Sequence, residues 1–401
     1  MRVTAIDQTD EQTGGLDHLR EPTTSDAILE NVTAILPIAE REAKPSNAQG
    51  FMTDAMTEAC RAAGVFRVGF PRDRGGPEMS ISDQTRMVEM VAGIDASLAW
   101  NVTVLAATGF YAGRLPDRAF AELYPTLDLA TCGSFHPKGV ARRVDGGFRV
   151  TGDWNFGSGI RSSDHVVAGA EVVDEQGEPV LKPDGSQLTL GVWLPRDEVR
   201  LRDDWHTIGL RGSGSQGYGV ADAFVPADHT FDRFFAGNAD ASPLVKHPDL
   251  PFYSMGGISI GIAQHAIDIV ATELARRSGT RAPGERALAL LGEADSCVRG
   301  MRATIYAGIA RLDDEIFTPG VAPSPRALAR GDAPFATELA RRVLDICVDL
   351  YGSKTIYDVN PLEQLVRDLV GLSVHLSTSR AMWARVGQLV LDEHSENREE
   401  P

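Results

Sequence analysis

Residues 145–169 read DGGFRVTGDWNFGSGIRSSDHVVAG. Asp145-Gly146-Gly147 is a hairpin signal, because two glycines supply the backbone freedom that a tight turn between strands needs. Phe148-Arg149-Val150-Thr151 and His165-Val166-Val167-Ala168-Gly169 have strand composition. Leu188-Thr189-Leu190-Gly191-Val192-Trp193 repeats it after a second turn signal, Pro183-Asp184-Gly185. This β texture runs from about residue 128 to about 235, and helical periodicity lies on both sides of it.

On the N-terminal side, Ser25 is placed to cap a helix with Ile28, Leu29, Val32, Ile35 and Leu36 on one stripe. A second stripe, Phe51 to Ala63, stops at Gly64, and Ser82 opens a long helix through Met87, Met90, Val91 and Ile94. On the C-terminal side, Glu285–Leu312 and Phe335–Tyr351 read as long helices separated by a loop around Pro319 to Pro325. The expected division is a disordered tail over 1–24, a helical domain over 25–127 and a β domain over 128–235. A helical bundle over 236–391 and an acidic tail over 392–401 complete it.

Composition narrows the function classes. Of the 401 residues, 43% are hydrophobic, ordinary for a packed chain and too many for wholesale disorder. Lys and Arg number 39 against 56 Asp and Glu, a net charge of −17, which argues against nucleic acid as partner. The first 50 residues carry 9 acids and 4 bases (−5) and the last ten carry 5 acids and 1 base (−4), so about half the charge is terminal and says nothing of a pocket. No apolar run is expected to reach a membrane span, and no leader peptide is read at the N-terminus. Cys60, Cys132, Cys297 and Cys347 are far apart with no paired spacing, so neither a metal site nor a disulfide framework is expected, and the expected setting is cytoplasmic.

Several short motifs accompany this order of helices, β block and helices. They are Trp154-Asn155-Phe156-Gly157-Ser158-Gly159, Trp205 to Ser215 with its Gly209-Leu210-Arg211-Gly212-Ser213 core, and Asp222-Ala223-Phe224-Val225-Pro226. Gly261 to Ala266, Tyr351-Gly352 and Arg367-Asp368 follow in the helical block. Together they resemble the acyl-CoA dehydrogenase fold over about residues 26–391. The resemblance implies an α+β, mainly α chain with an N-terminal helical domain, a middle β-barrel and a C-terminal four-helix bundle.

One position departs from the dehydrogenases of that fold. Their catalytic glutamate usually follows the Arg-Asp pair, and counting places Leu376 there. Leucine cannot accept a proton. Gly133-Ser134-Phe135, with Pro137 and Gly139, and then Trp154, Phe156, Ser158 and Gly159, resemble instead the flavin-dependent monooxygenases built on this fold. These are oxygenase components of two-component systems. A separate NAD(P)H-flavin reductase supplies reduced flavin, O2 is the co-substrate, and a C4a-hydroperoxyflavin transfers one oxygen to a small aromatic or heteroaromatic substrate. The alternative is an FAD-dependent acyl-CoA dehydrogenase-type flavoprotein; a non-catalytic binding member would leave the flavin-edge motifs without a reason.

The resemblance also implies site residues. His375 and Ser158 are the catalytic candidates: imidazole for acid–base work near neutral pH, the hydroxyl for a hydrogen bond near flavin N5 or O4. Cys132, Gly133 and Ser134 are expected to offer backbone N–H groups to the flavin edge, Trp154 and Phe156 apolar area to its face, Gly159 the turn, and Arg277 a charge-assisted contact to its phosphate. Asn101, His136 and His375 are expected on the substrate side, and no metal is expected. Arg277-Ser278-Gly279-Thr280-Arg281 departs from the dehydrogenase pattern and leans the cofactor toward reduced FMN, with FAD possible. No nicotinamide fingerprint is present, in keeping with reduction by a partner. A homotetramer is implied, with no nucleic acid and no membrane. Arg367-Asp368 is expected as a structural ion pair between helices.

Overall fold

The computed structural model describes residues 16–232, 241–247, 250–278, 282–329 and 331–396. Six helices precede the sheet: α1 (Ser25–Gln49), α2 (Asp54–Ala63), α3 (Ile81–Ala92), α4 (Ala96–Leu105), α5 (Thr108–Ala112) and α6 (Asp117–Leu123). The strands are β1 (Thr131–Val144), β2 (Gly147–Gly157), β3 (His165–Val173), β4 (Thr189–Leu194), β5 (Arg200–Leu201), β6 (Gln216–Pro226) and β7 (Thr230–Asp232). A short α7 (Pro243–Lys246) leads to α8 (Gly256–Ser278), α9 (Glu285–Phe317), α10 (Asp332–Tyr351) and α11 (Pro361–Ser373), and α12 (Trp383–Glu396) follows. The boundary expected near 235 falls outside the described residues.

Local chemistry sets the helix ends. Thr24, Thr53, Ser80 and Asp95 cap α1 to α4 by accepting the N–H three residues on, and left-handed Gly50 and Gly64 close α1 and α2. The caps at Thr24 and Ser80 displace those expected at Ser25 and Ser82, and α3 stops at Ala92. Residues 16–24 are not the loose tail expected. Arg20 N donates to Asn31 Oδ1 at 2.8 Å, Asn31 Nδ2 returns a bond to Arg20 O at 2.7 Å, and Pro22 is buried. The acidic end is helical as far as Glu396, on α12.

The seven strands form one sheet in the order β5-β6-β2-β1-β3-β4-β7, with β1 and β3 parallel and the other pairs antiparallel. Among the described residues it is open rather than the barrel expected: its edges, β5 and β7, do not pair with each other. The bundle is built from α8 to α11, with α10 packed against α8, α9 and α11. Leu250–Arg277 has a mean hydropathy of 1.2 and the length of a membrane span, contrary to expectation. It packs as a core element here, with Ile258, Ile260, Ile262 and Ala266 fully buried.

A break in the strand register decides the roles of two aromatics that an unbroken pleat would put on one face. Trp154 points inward and is fully buried. Its ring stacks on Tyr218, its partner across β6, at 5.5 Å, and Nε1 donates to Gly169 O at 2.8 Å. A Cβ on Gly139 or Gly152 would collide with the indole. Trp154 is therefore sheet core and cannot offer a face to flavin. Phe156, two residues on and past a register shift, is 66% exposed. Trp154→Ala should cost about 3–5 kcal/mol in urea unfolding, as expected for a buried aromatic truncated to alanine, whereas Phe156→Ala should fall within about 0.5 kcal/mol of the parent.

Candidate active site

The turn from Gly209 to Ser215 joins three parts of the chain. Leu210 N donates to Asp368 Oδ1 on α11 at 2.7 Å, and Arg367 Nη1 donates to Ile208 O at 3.1 Å. Gly212 N donates to Asn47 Oδ1 of α1 at 3.0 Å, and Gly212 O accepts from Asn101 Nδ2 of α4 at 3.0 Å. Gly159 N, just past β2, donates to Ser213 O at 3.0 Å. Arg367 and Asp368 thus do not pair with each other as expected. Arg367 pairs with Glu363 one turn back, and both residues clamp the turn.

Asp368 belongs to a buried acid pair. Gln364 Nε2 lies 2.9 Å from Asp95 Oδ2 and 3.4 Å from Asp368 Oδ2, and Asn47 Nδ2 donates to Asp95 Oδ2 at 2.7 Å. Burial and then the charge of Asp95 push the Asp368 carboxyl up to about 7, and burial raises Asp95 as well.

Ser158 Oγ is buried at the edge of this turn. It accepts the Trp100 indole N–H at 3.0 Å and lies 2.7 Å from Ser215 Oγ, which is 2.8 Å from Ser213 Oγ. Trp100, on α4, also meets the His375 ring edge-on at 5.0 Å between centroids. The indole therefore links the two catalytic candidates, hydroxyl on one side and imidazole on the other. The neighbouring Asn101 is fully buried, and its Oδ1 has no hydrogen-bond partner.

His375 does not sit within the helix, as its sequence position suggested. α11 ends at Ser373, and extended His375 caps the short turn Leu376–Thr378. Its Nδ1 accepts the Ser377 backbone N–H at 3.3 Å. In the neutral ring the proton then lies on Nε2, so the resting imidazole is a donor. Leu376 is 62% exposed.

Other expected contacts separate from this centre. Ser134 N donates to Tyr218 Oη at 2.8 Å, so its N–H is spent within the sheet rather than offered to a flavin edge. Gly133 adopts φ +149, with Val167 O where a Cβ would stand, and its glycine serves strand packing. Cys132 is buried, accepts from Ser163 Oγ at 3.2 Å, and burial pushes its thiol up to about 12. Arg277, at the end of α8, pairs with Glu273 at 2.7 Å and lies 5.9 Å from the Tyr351 ring centroid. Gly279, Thr280 and Arg281 fall outside the described residues. His136 is exposed at the bulge of β1 opposite Gly169. Ser213 and Ser215 were missed as site residues, because only the fold brings them to Ser158 and Trp100.

The residues that remain suit a flat, partly apolar heterocycle with polar edges. Phe156 holds φ +64, strained for a bulky side chain, and this turns its ring outward toward Trp205 at 6.4 Å. Ile208, 60% exposed, lies on the same Trp205–Ser215 segment. If Ser215 donates to Ser158, the Ser158 O–H is left to donate outward. The orphan Asn101 Oδ1 lies one residue from Trp100. This donor set fits a flavin.

The Asp368 shift makes stability fall as pH rises. Between the ordinary carboxylate value and about 7 the unfolded chain gives up a proton that the folded chain keeps, so folding is weakened across that window and the loss is complete above it. The thermal midpoint should therefore be lower at pH 8 than at pH 5 for the parent, and Asp368→Asn should flatten that difference.

Comparison with known proteins bears on the fold and the family. Residues 253–380 match the family "Acyl-CoA dehydrogenase, C-terminal domain". The chain is 28% identical over 341 residues to an indole-3-acetate monooxygenase of Pseudomonas putida, covering 83% of this chain and 85% of that protein. It is 24% identical over 365 residues to the flavin-dependent monooxygenase oxygenase subunit HsaA of Rhodococcus jostii, covering 86% and 93%. XiaF from a Streptomyces species, solved with FADH2 and glycerol, superposes with a TM-score of 0.82 at 22% identity, covering 90% of this chain and 94% of XiaF. The chain thus has the fold of these proteins, its residues 253–380 match the C-terminal domain of the acyl-CoA dehydrogenases, and the relatives it resembles are named as monooxygenases, one of them as a flavin-dependent oxygenase subunit.

Proposed function

We propose that the chain is the oxygenase component of a two-component flavin-dependent monooxygenase acting on an aromatic or heteroaromatic substrate. One observation carries the reading: the Trp100 indole joins the buried Ser158–Ser215 hydroxyls to His375 within a single hydrogen-bonded and edge-packed unit. Ser158 would hold the flavin edge, and Phe156 would pack against its ring. Reduced flavin, when bound, would supply the two electrons that let one atom of O2 enter the substrate while the other leaves as water. A dry site matters, because water favours loss of that oxygen as hydrogen peroxide. The fully or nearly buried Trp100, Asn101, Ser158 and Ser215 provide such a site. His375, with its proton on Nε2, donates a hydrogen bond to the substrate heteroatom and orients it; to act as base it would first have to surrender its bond from Ser377.

A separate NAD(P)H-flavin reductase is the partner this reading requires, supported by the oxygenase-subunit designation of the Rhodococcus relative. A homo-oligomer is supported by apolar side chains left at the surface, Ile356, Val359, Val374 and Leu376 among them, each more than three-fifths exposed. Light scattering that gave only monomer mass would remove the oligomer. The four cysteines are all free thiols, in keeping with a reducing, cytoplasmic setting. Protein denatured without reductant should titrate four thiols, and fewer would place it elsewhere.

The central test mixes the protein anaerobically with reduced FMN or FAD and then adds O2 in a stopped-flow spectrometer. An absorbing species should precede the spectrum of oxidised flavin, and its absence with both flavins sinks the reading. Ser158→Ala should shorten its lifetime about tenfold or more. His375→Gln should lower product yield with flavin binding unchanged.

A further inference from the structure

Two buried acids lie where the start of α4 meets α11. Asp95 is 3% exposed and Asp368 is 2% exposed, and Gln364 Nε2 touches both carboxyls, at 2.9 and 3.4 Å. The two acids differ in what they accept. Asp95 Oδ1 takes the Leu98 N–H at 2.9 Å, Oδ2 takes Asn47 Nδ2 at 2.7 Å as well as Gln364, and the Ser97 N–H joins them. These donors fill the lone pairs of an ionised carboxylate. Asp368 Oδ1 takes the Leu210 N–H at 2.7 Å, and among the described residues Oδ2 has the long contact to Gln364 alone. Asp368 Oδ2 therefore has room for a proton that Asp95 lacks.

The pair stands at the base of both halves of the site. Asp95 caps α4, the helix that carries Trp100, and Asp368 lies on α11, just before His375 in the chain. The indole and the imidazole meet edge-on at 5.0 Å between centroids. Packed helices move as rods, so a change in the spacing of the acids is carried along both to that contact. The other charges around α11 are engaged elsewhere or exposed. On α11 itself Arg367 pairs with Glu363 and feels Asp358 beyond it. From α8, His265 faces Asp268 and Glu40. On α10, Glu338 pairs with Arg380 and Arg342 with Glu293, while Asp345 and Asp349 are exposed, as is Arg211 on the turn. Burial, and then Asp95, set the Asp368 carboxyl at about 7.

We propose that the acid pair is a proton-gated spacer between the two halves of the site. With a proton on Asp368 Oδ2, the pair carries one negative charge, Gln364 bridges it, and α4 and α11 stay in contact. When that proton leaves to solvent, two buried carboxylates face each other across a single amide. Their repulsion draws α11 back, loosens the Leu210 turn and parts the imidazole from the indole. The contact is held near pH 5 and released by pH 8. Asp368 and Gln364 are positioning residues, acting through the helix and the turn. The gating stands on the acid pair itself; only its effect on oxygen transfer rests on the oxygenase reading.

Infrared difference spectra of the intact chain without flavin, between pH 5 and pH 8, test the proton. The parent should lose a protonated-carboxyl band that Asp368→Asn lacks. The spacing is read from the Trp100 indole N–H resonance of tryptophan-15N-labelled protein, assigned by its loss in Trp100→Phe. In the parent that resonance should shift with the midpoint of the band. Asp368→Asn, which keeps an acceptor for Leu210 and carries no charge, should remove that part of the shift and leave any part due to titration of His375. Asp95→Asn should move both midpoints to lower pH, and it carries the test if Asp368→Asn unfolds by circular dichroism. No band that Asp368→Asn removes, an indole resonance indifferent to Asp368, or midpoints unchanged in Asp95→Asn would each overturn the proposal. If the oxygenase reading holds, the absorbing flavin species should be shorter-lived at pH 8 than at pH 5 in the parent, and Asp368→Asn should narrow the difference. Matched band and resonance shifts without that species would sink the oxygenase reading and leave the spacer standing; the species without those shifts would sink the spacer alone.

Discussion

The hydrogen bond from Leu210 N to Asp368 Oδ1, and the turn it anchors, holds the rest of the site in place. A buried carboxylate is costly unless its lone pairs are occupied. Asp368 meets that need with the Leu210 amide and the Gln364 side chain, and the same bonds fasten a sheet connection to the bundle. Asn47 and Asn101 fasten that turn to the N-terminal helices. Because the three parts share one turn, the hydroxyl of β2, the indole of α4 and the imidazole after α11 occupy one neighbourhood. Loosening the turn would separate all three.

The same economy explains why some motif residues do not do what their position in the motif implies. In Trp154-Asn155-Phe156-Gly157-Ser158 the register shift after Trp154 and the left-handed backbone of Phe156 keep Trp154 in the sheet and leave Phe156 outside. The backbone N–H of Ser134 is consumed by Tyr218, which in turn donates to Val167 O at 2.8 Å. These residues hold the sheet that presents Ser158. They support the chemistry by fixing a wall and need not touch a ligand.

His375 shows how a short stretch of backbone selects a chemical role. The imidazole is placed after the helix end, where Nδ1 caps the next turn. That bond chooses the tautomer and makes the ring a donor at rest. Trp100 on one side and Phe252 on the other confine it between aromatic surfaces.

Much of the architecture was legible from local signals. The turn glycines at 145–147, the capping hydroxyls and the helical stripes report on neighbours within a few residues, so composition and period place these helices and strands but not their ends: the helix expected to stop at Leu312 runs to Phe317, and the strand read at Phe148–Thr151 spans Gly147–Gly157. Ser158 and His375 were legible as candidates because the motifs and the order of modules resemble a known fold. Closure of the sheet was not legible, since it depends on whether its edge strands pair. Nor were the meeting of Trp100 with His375 and that of Ser215 with Ser158. Those depend on contacts between residues tens to hundreds of positions apart, and only the packing of the three modules on one pinned turn decides which of them meet.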